Sequence, residues 1–252
     1  MSKRIGFLGC GKICGGLMKH IQEKGRHTIS FVQSRNYPAE GAPFAVTRTL
    51  NHDLLAQTDL VIEGATADVL KENFDGILEH CDLVVFSGSV FADAEFEAHA
   101  REVIARTGHK VYLPHAAILG IDGLFDAREL LTAVSIETVK NAESLNVDCT
   151  ERTVLYDGPA HGACKMFPRN VNVHATTALA GLGFEKTHSR IICDPSVVTN
   201  SHRIVIEGKG IHFDLLISTS ATGTVTGLYT PYSARASVDR LLDDADYPYY
   251  FV

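Results

Sequence analysis

Arg4-Ile5-Gly6-Phe7-Leu8-Gly9-Cys10-Gly11-Lys12-Ile13-Cys14-Gly15-Gly16 decides the fold of this chain. A short apolar run meets glycines at once, and helical spacing begins immediately after them, so the segment reads as strand, tight turn and helix start. Gly9 to Cys14 spells GxGxxC, close to the GxGxxG or GxGxxA fingerprint at which dinucleotide diphosphates bind. The first glycine permits the turn, and the second lets a diphosphate reach the backbone. The third position must be small for the helix to meet the strand, which Cys14 satisfies, with Gly15 and Gly16 adding room. Free N–H groups at the helix start and the positive end of its dipole supply the attraction. Gly9, Gly11, Lys12 and Ile13 are therefore the candidate diphosphate loop.

Outward from this loop, short β-branched runs alternate with amphipathic stretches. Residues 4–8, 28–32, 60–63, 83–87 and 110–113 read as strands, and 13–24, 67–80 and 92–107 as helices. Stacked βαβ units of this kind predict an α/β fold whose N-terminal part is a Rossmann-type doubly wound parallel sheet. After Pro114 the texture changes, with strands closer together and fewer helices. Residues 133–140, 153–155, 189–193, 203–207 and 213–218 read as a more antiparallel sheet. One helix interrupts it, starting around Asn172 and ending at Gly181 or Gly183. The expected division is a dinucleotide-binding domain over 1–121 and a second α+β domain over 122–228. A C-terminal helix within 229–252, opened by Pro231, is expected to pack back on the first domain.

The second strand ends in Gln33-Ser34-Arg35, where NAD-selective sheets place an Asp or Glu for the ribose hydroxyls. A guanidinium beside the Ser34 hydroxyl suits a 2′-phosphate, which favours NADP over NAD as cofactor. Ala65 and Ser87 follow the third and fourth strands and are expected to border the cofactor. The chain has 252 residues, 23 Lys+Arg and 30 Asp+Glu, so its net charge of −7 speaks against nucleic-acid or anionic-membrane partners. The opening MSKRIGFLGCGK has no signal-peptide core, and a cytoplasmic protein with a small-molecule ligand is expected. Six cysteines without a CxxC pair read as reduced thiols. No histidine spacing suggests a metal; His161 with Cys164 is the nearest chelating pair.

In the later half, Phe167-Pro168-Arg169-Asn170-Val171-Asn172 leads into the central helix, with Asn170 and Asn172 at candidate capping positions. Amides there could hold a carboxylate. Asp194-Pro195-Ser196-Val197-Val198-Thr199-Asn200-Ser201-His202 joins two strands through a turn-rich loop. His202, at the loop-strand junction, is the candidate acid/base group. His115, after the strand at 110–113, is the second histidine of interest, whereas His174 reads as a packed or hydrogen-bonded helix residue.

GCGKIC, Glu63-Gly64-Ala65, Phe91-Ala92-Asp93, Ile121-Asp122-Gly123-Leu124, FPRNVNVHAT with ALAGLG, and DPSVVTNSH with EGKG together resemble the L-aspartate dehydrogenase family, in order and over most of the chain. The resemblance implies NAD(P)-dependent oxidative deamination of L-aspartate, through iminosuccinate to oxaloacetate and ammonia, and its reverse. It also implies a homodimer, His202 as the catalytic histidine, and Asn170 and Asn172 at the substrate pocket. Three departures stand out. His115-Ala116-Ala117 replaces the family's Ser-Gly-Ala, Ser89 replaces a glycine, and Tyr232 replaces the lysine of Asn-Pro-Lys-Thr-Ser. Another NADPH-dependent imine or keto-acid reductase, similar to dihydrodipicolinate reductase in its loop, is an alternative, as is a non-catalytic NADP-sensing regulator.

Overall fold

The computed structural model describes residues 1–220 and 227–244. Residues 245–252 of the expected C-terminal segment lie outside the described residues. Two compact units emerge. The first comprises residues 1–86, 100–114 and the segment from Pro231 on; the second comprises 87–99 and 115–230.

In the first unit, β1 (Arg4–Leu8) buries every residue after Arg4. A continuous apolar run of this kind marks a strand covered on both faces. The chain leaves β1 through α1 (Lys12–Lys24) to β2 (Thr28–Gln33) and the three-residue β3 (Ala45–Thr47). It then crosses through α2 (His52–Leu55) to β4 (Leu60–Glu63), α3 (Ala67–Leu78), β5 (Asp82–Val85), α4 (Ala94–Thr107) and β6 (Val111–Tyr112). The strand order is β3-β2-β1-β4-β5-β6 with every pair parallel. Successive strands run to one side of β1 and then to the other, so the switch point lies between β1 and β4, where open α/β sheets take their ligands. β3 is too short for periodicity to reveal it.

The second unit is built from α5 (Ile121–Asp126), β7 (Leu131–Lys140), α6 (Ala142–Leu145), β8 (Thr153–Pro159), α7 (Ala160–Met166), α8 (Asn172–Ala180), β9 (Thr187–Cys193), β10 (Thr199–Gly208) and β11 (Ile211–Ser220). Its sheet has the order β11-β10-β7-β9-β8. It is the more antiparallel sheet expected, since β10 pairs antiparallel with β11 and β7, and β8 with β9, while β7 and β9 run parallel. The chain passes through α6, β8, α7 and α8 between them, and a connection of that length makes the parallel return possible. Along β7 and β10 alternate residues are buried, and those at one end are apolar: Val134, Ile136, Ile204 and Ile206 share a cluster with Val173 and Ala180 of α8. Burying such a side chain contributes about 1.5–3 kcal/mol.

The units do not follow the linear cut expected at 121/122. Residues 87–99 belong with the second unit because the buried 3-10 turn at Gly88–Ala92 lies on α8. A Cβ on Gly88 would sit 3.6 Å from Thr176 Oγ1 and 3.8 Å from Ala175 Cβ. The helix expected from 92 begins only at Ala94, where Asp93 Oδ1 accepts from the N–H groups of Glu95 and Phe96. Finally α9 (Tyr229–Leu241) closes on the first unit, with Ala234, Val238 and Leu242 in one apolar cluster with Ile5, Phe7 and Leu17. Asp239 on α9 accepts from Lys24 Nζ at 3.1 Å and contacts His20 Nε2 at 2.9 Å. No helix among the described residues is long and apolar enough to cross a membrane.

Candidate active site

In the first unit the glycine turn stands at the switch point. Gly9 has φ +95, and a Cβ there would meet the Gly64 carbonyl oxygen at 2.9 Å, so both backbone conformation and space require glycine. Cys14 is fully buried, and its Sγ lies 2.7 Å from where a Cβ on Gly64 would be. The small third position of the fingerprint thus lets α1 seat on the end of β4. Gly11 caps α1 in extended conformation without a side-chain bond, and the first turn carries no acidic residue. Its N–H groups and dipole remain available to a diphosphate, so the loop fits the pyrophosphate of a dinucleotide.

At the end of β2, Ser34 Oγ lies 3.0 Å from Cys10 Sγ and accepts from Asn36 N–H at 3.2 Å. Arg35 is exposed. A second guanidinium missed in the sequence reading, Arg48, donates to the Ser34 and Tyr37 carbonyls and braces this loop. Ala65 follows β4 and donates its N–H to Glu63 Oε1 at 2.7 Å, while Glu63 Oε2 accepts from Phe86 N–H at 3.2 Å. One fully buried carboxylate therefore ties two adjacent strand ends. Gly9, Gly11, Lys12, Ile13, Ser34, Arg35 and Ala65 all belong to the first unit, whereas Ser87 opens the second. Tyr232 is exposed, but Arg235 one turn later holds its guanidinium 5.9 Å from the Tyr232 ring and 3.9 Å from where a Gly16 Cβ would be. A cation thus stands beside α1 despite the loss of the lysine at 232.

In the second unit the buried face of the sheet turns polar toward the end of β7 and the start of β10. Thr138 and Lys140 continue the buried alternation of β7, and Asn200 and His202 that of β10. His202 is 4% exposed and lies inside a ten-residue strand, paired with Thr138 and Ile217, rather than at a loop-strand junction. The strand starts earlier than expected because the loop is spent sooner. Asp194 accepts from Ser196 N–H and Oγ and from Arg152, closing the turn within three residues. Ser196 and then Arg152 hold that carboxyl below its usual range.

His202 Nδ1 is 2.8 Å from Thr138 Oγ1, which is 2.7 Å from His174 Nε2; His174 Nδ1 is 3.0 Å from Ser189 Oγ. Among the described residues no hydrogen bond engages His202 Nε2. Burial, then the nearby Lys140 charge, pushes His174 down to about 3. Burial first, then Lys140 and His174, holds His202 well below its ordinary value of 6.5. Lys140 is 3% exposed, and burial lowers it from 10.5 to about 8. Its ammonium donates to the Asn170 carbonyl at 3.5 Å.

The asparagines do not cap α8. Its N-cap is Val171, without a side-chain bond. Asn172 Oδ1 instead accepts from Ser89 N–H at 3.2 Å, and Ser89 Oγ donates to the Pro168 carbonyl at 2.9 Å. The serine that departs from the family pattern therefore fastens the 3-10 turn to the entry of α8. Asn170 Nδ2 donates to the Leu145 carbonyl at 3.4 Å, and its buried Oδ1 has no partner. Asn200, unnoticed in the sequence, is 2% exposed with both amide atoms unpartnered. Buried amides without partners are costly, so this end of the sheet fits a polar ligand. His115 is half-buried in the turn after β6, and among the described residues no hydrogen bond links it to Asn170, Asn172 or His202.

His161 pairs with Glu185 at 3.1 Å, and Cys164 is buried, which raises its thiol to about 12. His52, Glu79 and His80 bring ligand atoms within 4.8 Å of one another, but His52 Nδ1 and His80 Nε2 already share a hydrogen bond at 3.2 Å.

The buried histidines make stability fall with acid. Both folded values lie below the unfolded value near 6.5, so below that pH the unfolded chain binds protons that the folded chain does not, for His174 down to about pH 3. His174 contributes a loss of up to about 1.4 kcal/mol per pH unit in its window. The melting temperature is expected to drop as pH falls from 7 to 5, and H174Q should flatten that slope; an unchanged slope would remove His174 as its source.

Residues 122–241 match a family model described as aspartate dehydrogenase, C-terminal, and residues 9–114 match the homoserine dehydrogenase NAD-binding domain. The L-aspartate dehydrogenase of Methanopyrus kandleri is 32% identical over 197 residues, covering 77% of this chain and 75% of that protein. The one from Methanosarcina mazei is 31% identical over 231 residues, covering 82% and 84%. The crystal structure of aspartate dehydrogenase from Thermotoga maritima superposes with a TM-score of 0.82 at 25% identity, covering 100% of both chains. Dipicolinate-bound dihydrodipicolinate reductase from Paenisporosarcina sp. TG-14 shares the fold alone, with a TM-score of 0.54 at 13% identity over 96% of this chain and 94% of that one.

Proposed function

The chain belongs to the L-aspartate dehydrogenase family, and from that premise we propose how its own residues carry out NAD(P)-dependent deamination of L-aspartate to oxaloacetate and ammonia, and the reverse. The observation that carries the reading is the buried polar end of the second sheet, where one lysine, two asparagines and an imidazole with an open Nε2 gather. Bound at the glycine turn, a nicotinamide dinucleotide supplies the hydride acceptor for deamination and the donor for amination.

Gly9, Gly11, Lys12 and Ile13 would hold the diphosphate and Ser34 and Arg35 the adenosine end, with Ala65 and Ser87 as further proposed cofactor contacts. The Lys140 ammonium pairs with a substrate carboxylate, to which Asn200 Nδ2 also donates, and the Asn170 and Asn200 Oδ1 atoms accept from the substrate amino group. Asn172 acts by fixing the turn at Ser89. His115, in the turn after β6, is a further side chain assigned to the substrate. His202 is neutral at working pH, so its ring can take a proton from water as the oxygen adds to the imine carbon of iminosuccinate. In amination it returns that proton as water leaves. Initial rates with NADPH, ammonia and oxaloacetate, set against a panel of other keto acids, test the assignment; preference for a monocarboxylate would overturn it.

NADP is favoured because Arg35 and Ser34 occupy the place of the ribose-binding acid. R35A is expected to weaken NADPH binding about 10-fold, as for one exposed charge-assisted contact, and NADH binding hardly at all. Equal losses in a fluorescence titration would reject the phosphate contact. The reading extends to a cytoplasmic homodimer. It is supported by six free thiols and by the outward face of the second sheet, where Leu216 is 70% exposed beside Glu137, Val139, Ser201, Arg203 and Asp214. Sedimentation velocity tests the assembly.

A further inference from the structure

Thr138 carries one hydroxyl hydrogen and stands between two imidazole nitrogens, His174 Nε2 at 2.7 Å and His202 Nδ1 at 2.8 Å. Beyond His174, Ser189 Oγ is 3.0 Å from Nδ1. The four side chains come from β7, α8, β9 and β10, and all are buried. A hydroxyl can donate to only one of the two nitrogens and must accept from the other. The tautomers of the two histidines are therefore locked together.

Both rings are neutral at pH 7, so each has one N–H and one lone pair. Two hydrogen arrangements satisfy the chain. In the first, Ser189 donates to His174 Nδ1, His174 Nε2–H to Thr138, and Thr138 to His202 Nδ1, which leaves a proton on His202 Nε2. In the second, His202 Nδ1–H donates to Thr138, Thr138 to His174 Nε2, and His174 Nδ1–H to Ser189 Oγ, which leaves His202 Nε2 with its lone pair. The titratable groups facing His202 are Lys140 on β7 and His174 on α8; its partner on β11 is Ile217, which does not titrate.

We propose that the second arrangement is the resting one, and that Thr138, His174 and Ser189 are positioning residues that hold His202 as its Nδ1–H tautomer so that Nε2 is the basic atom. The inference rests on reading His202 as the base toward water. In that step a water O–H bond breaks, its hydrogen goes to Nε2, and the oxygen bonds to the imine carbon while the C=N π pair moves to nitrogen. The imidazolium so formed keeps its Nδ1–H donated to Thr138 Oγ1, and no proton travels beyond it. A neutral imidazole without such a bond has no reason to hold the proton on Nδ1, because the partner of one ring nitrogen sets the state of the other.

Nitrogen-15 spectra of the intact enzyme, labelled at histidine, decide the question. His202 is expected to show a protonated Nδ1 and a bare Nε2 at pH 7. T138V cannot accept, so His202 should revert to the Nε2–H form and kcat should fall about 10- to 100-fold, less than on losing the imidazole. Succinate and NADPH affinities should stay within about two-fold, because neither contact uses the Thr138 hydroxyl. T138S restores the hydroxyl and should restore both the tautomer and most of kcat. A protonated Nε2 in the wild type, an unchanged kcat in T138V, or a folded T138S that fails to rescue would each overturn the proposal. The wild-type spectrum needs no substrate, so absence of aspartate turnover would count against the reaction and leave the tautomer assignment to stand on its own.

Discussion

Removing the imidazole in H202A is expected to lower kcat for amination of oxaloacetate by about 10²- to 10⁴-fold, the range for losing a general acid-base group, with NADPH affinity unchanged. The separation follows from the division of labour, since the glycine turn and Arg35 belong to the first unit and His202 to the second. His202 is 4% exposed among polar neighbours, so alanine leaves a polar gap that water can fill at modest cost to stability. H202N, which keeps bulk and a hydrogen bond to Thr138 but no basic lone pair, should be equally slow. Stopped-flow turnover at saturating NADPH and ammonia reads the effect. Parent-like rates in either variant would take His202 out of the chemistry.

The second large effect belongs to Lys140. K140M keeps the length of the stem and deletes the charge, and losing one partner of a buried charge pair costs about 2–5 kcal/mol, or about 30- to 5,000-fold in affinity for the dicarboxylate. Because burial lowers Lys140 to about 8, the wild type should lose succinate as pH rises through that value, while K140M binds it weakly at every pH. Stability moves the other way. Between pH 8 and the unfolded value near 10.5 the unfolded chain holds a proton that the folded chain has released, so wild-type stability gains from rising pH there, and K140M should lose that gain. Calorimetric titration with succinate from pH 6.5 to 9.5 gives the first curve, and thermal melts over pH 8 to 10.5 give the second. A pH-independent Kd in the wild type would show that Lys140 does not meet the carboxylate.

Much of the cofactor half could be read from the chain because its requirements are local. Gly9 needs a positive φ, Cys14 must be small, and the strand and helix on either side declare themselves by apolar runs and helical spacing within a few residues. Arg48 escaped because only the return of β3 beside β2 brings it to the Ser34 carbonyl. The second unit was harder to read. His202 stood out by type and motif, but Lys140 and Asn200 look like ordinary strand residues until their neighbours are known. Asn170 and Asn172 suggested capping, the local role of that residue type, whereas tertiary contacts gave Asn172 to the Ser89 backbone and Asn170 to the Leu145 carbonyl. Residues 87–99 read as part of the first domain because chain order is all that a sequence shows.

Neighbouring residues alone were enough for the doubly wound sheet, the glycine turn at Gly9–Cys14 and the side-chain types that catalysis could draw on. Backbone conformation and periodic burial are written into neighbouring residues. Which groups share an environment came from the fold: Thr138 joins His174 to His202, and burial lowers Lys140 to about 8. Those properties depend on desolvation and on distances between residues 36 and 64 positions apart in the chain, and no local pattern carries that information.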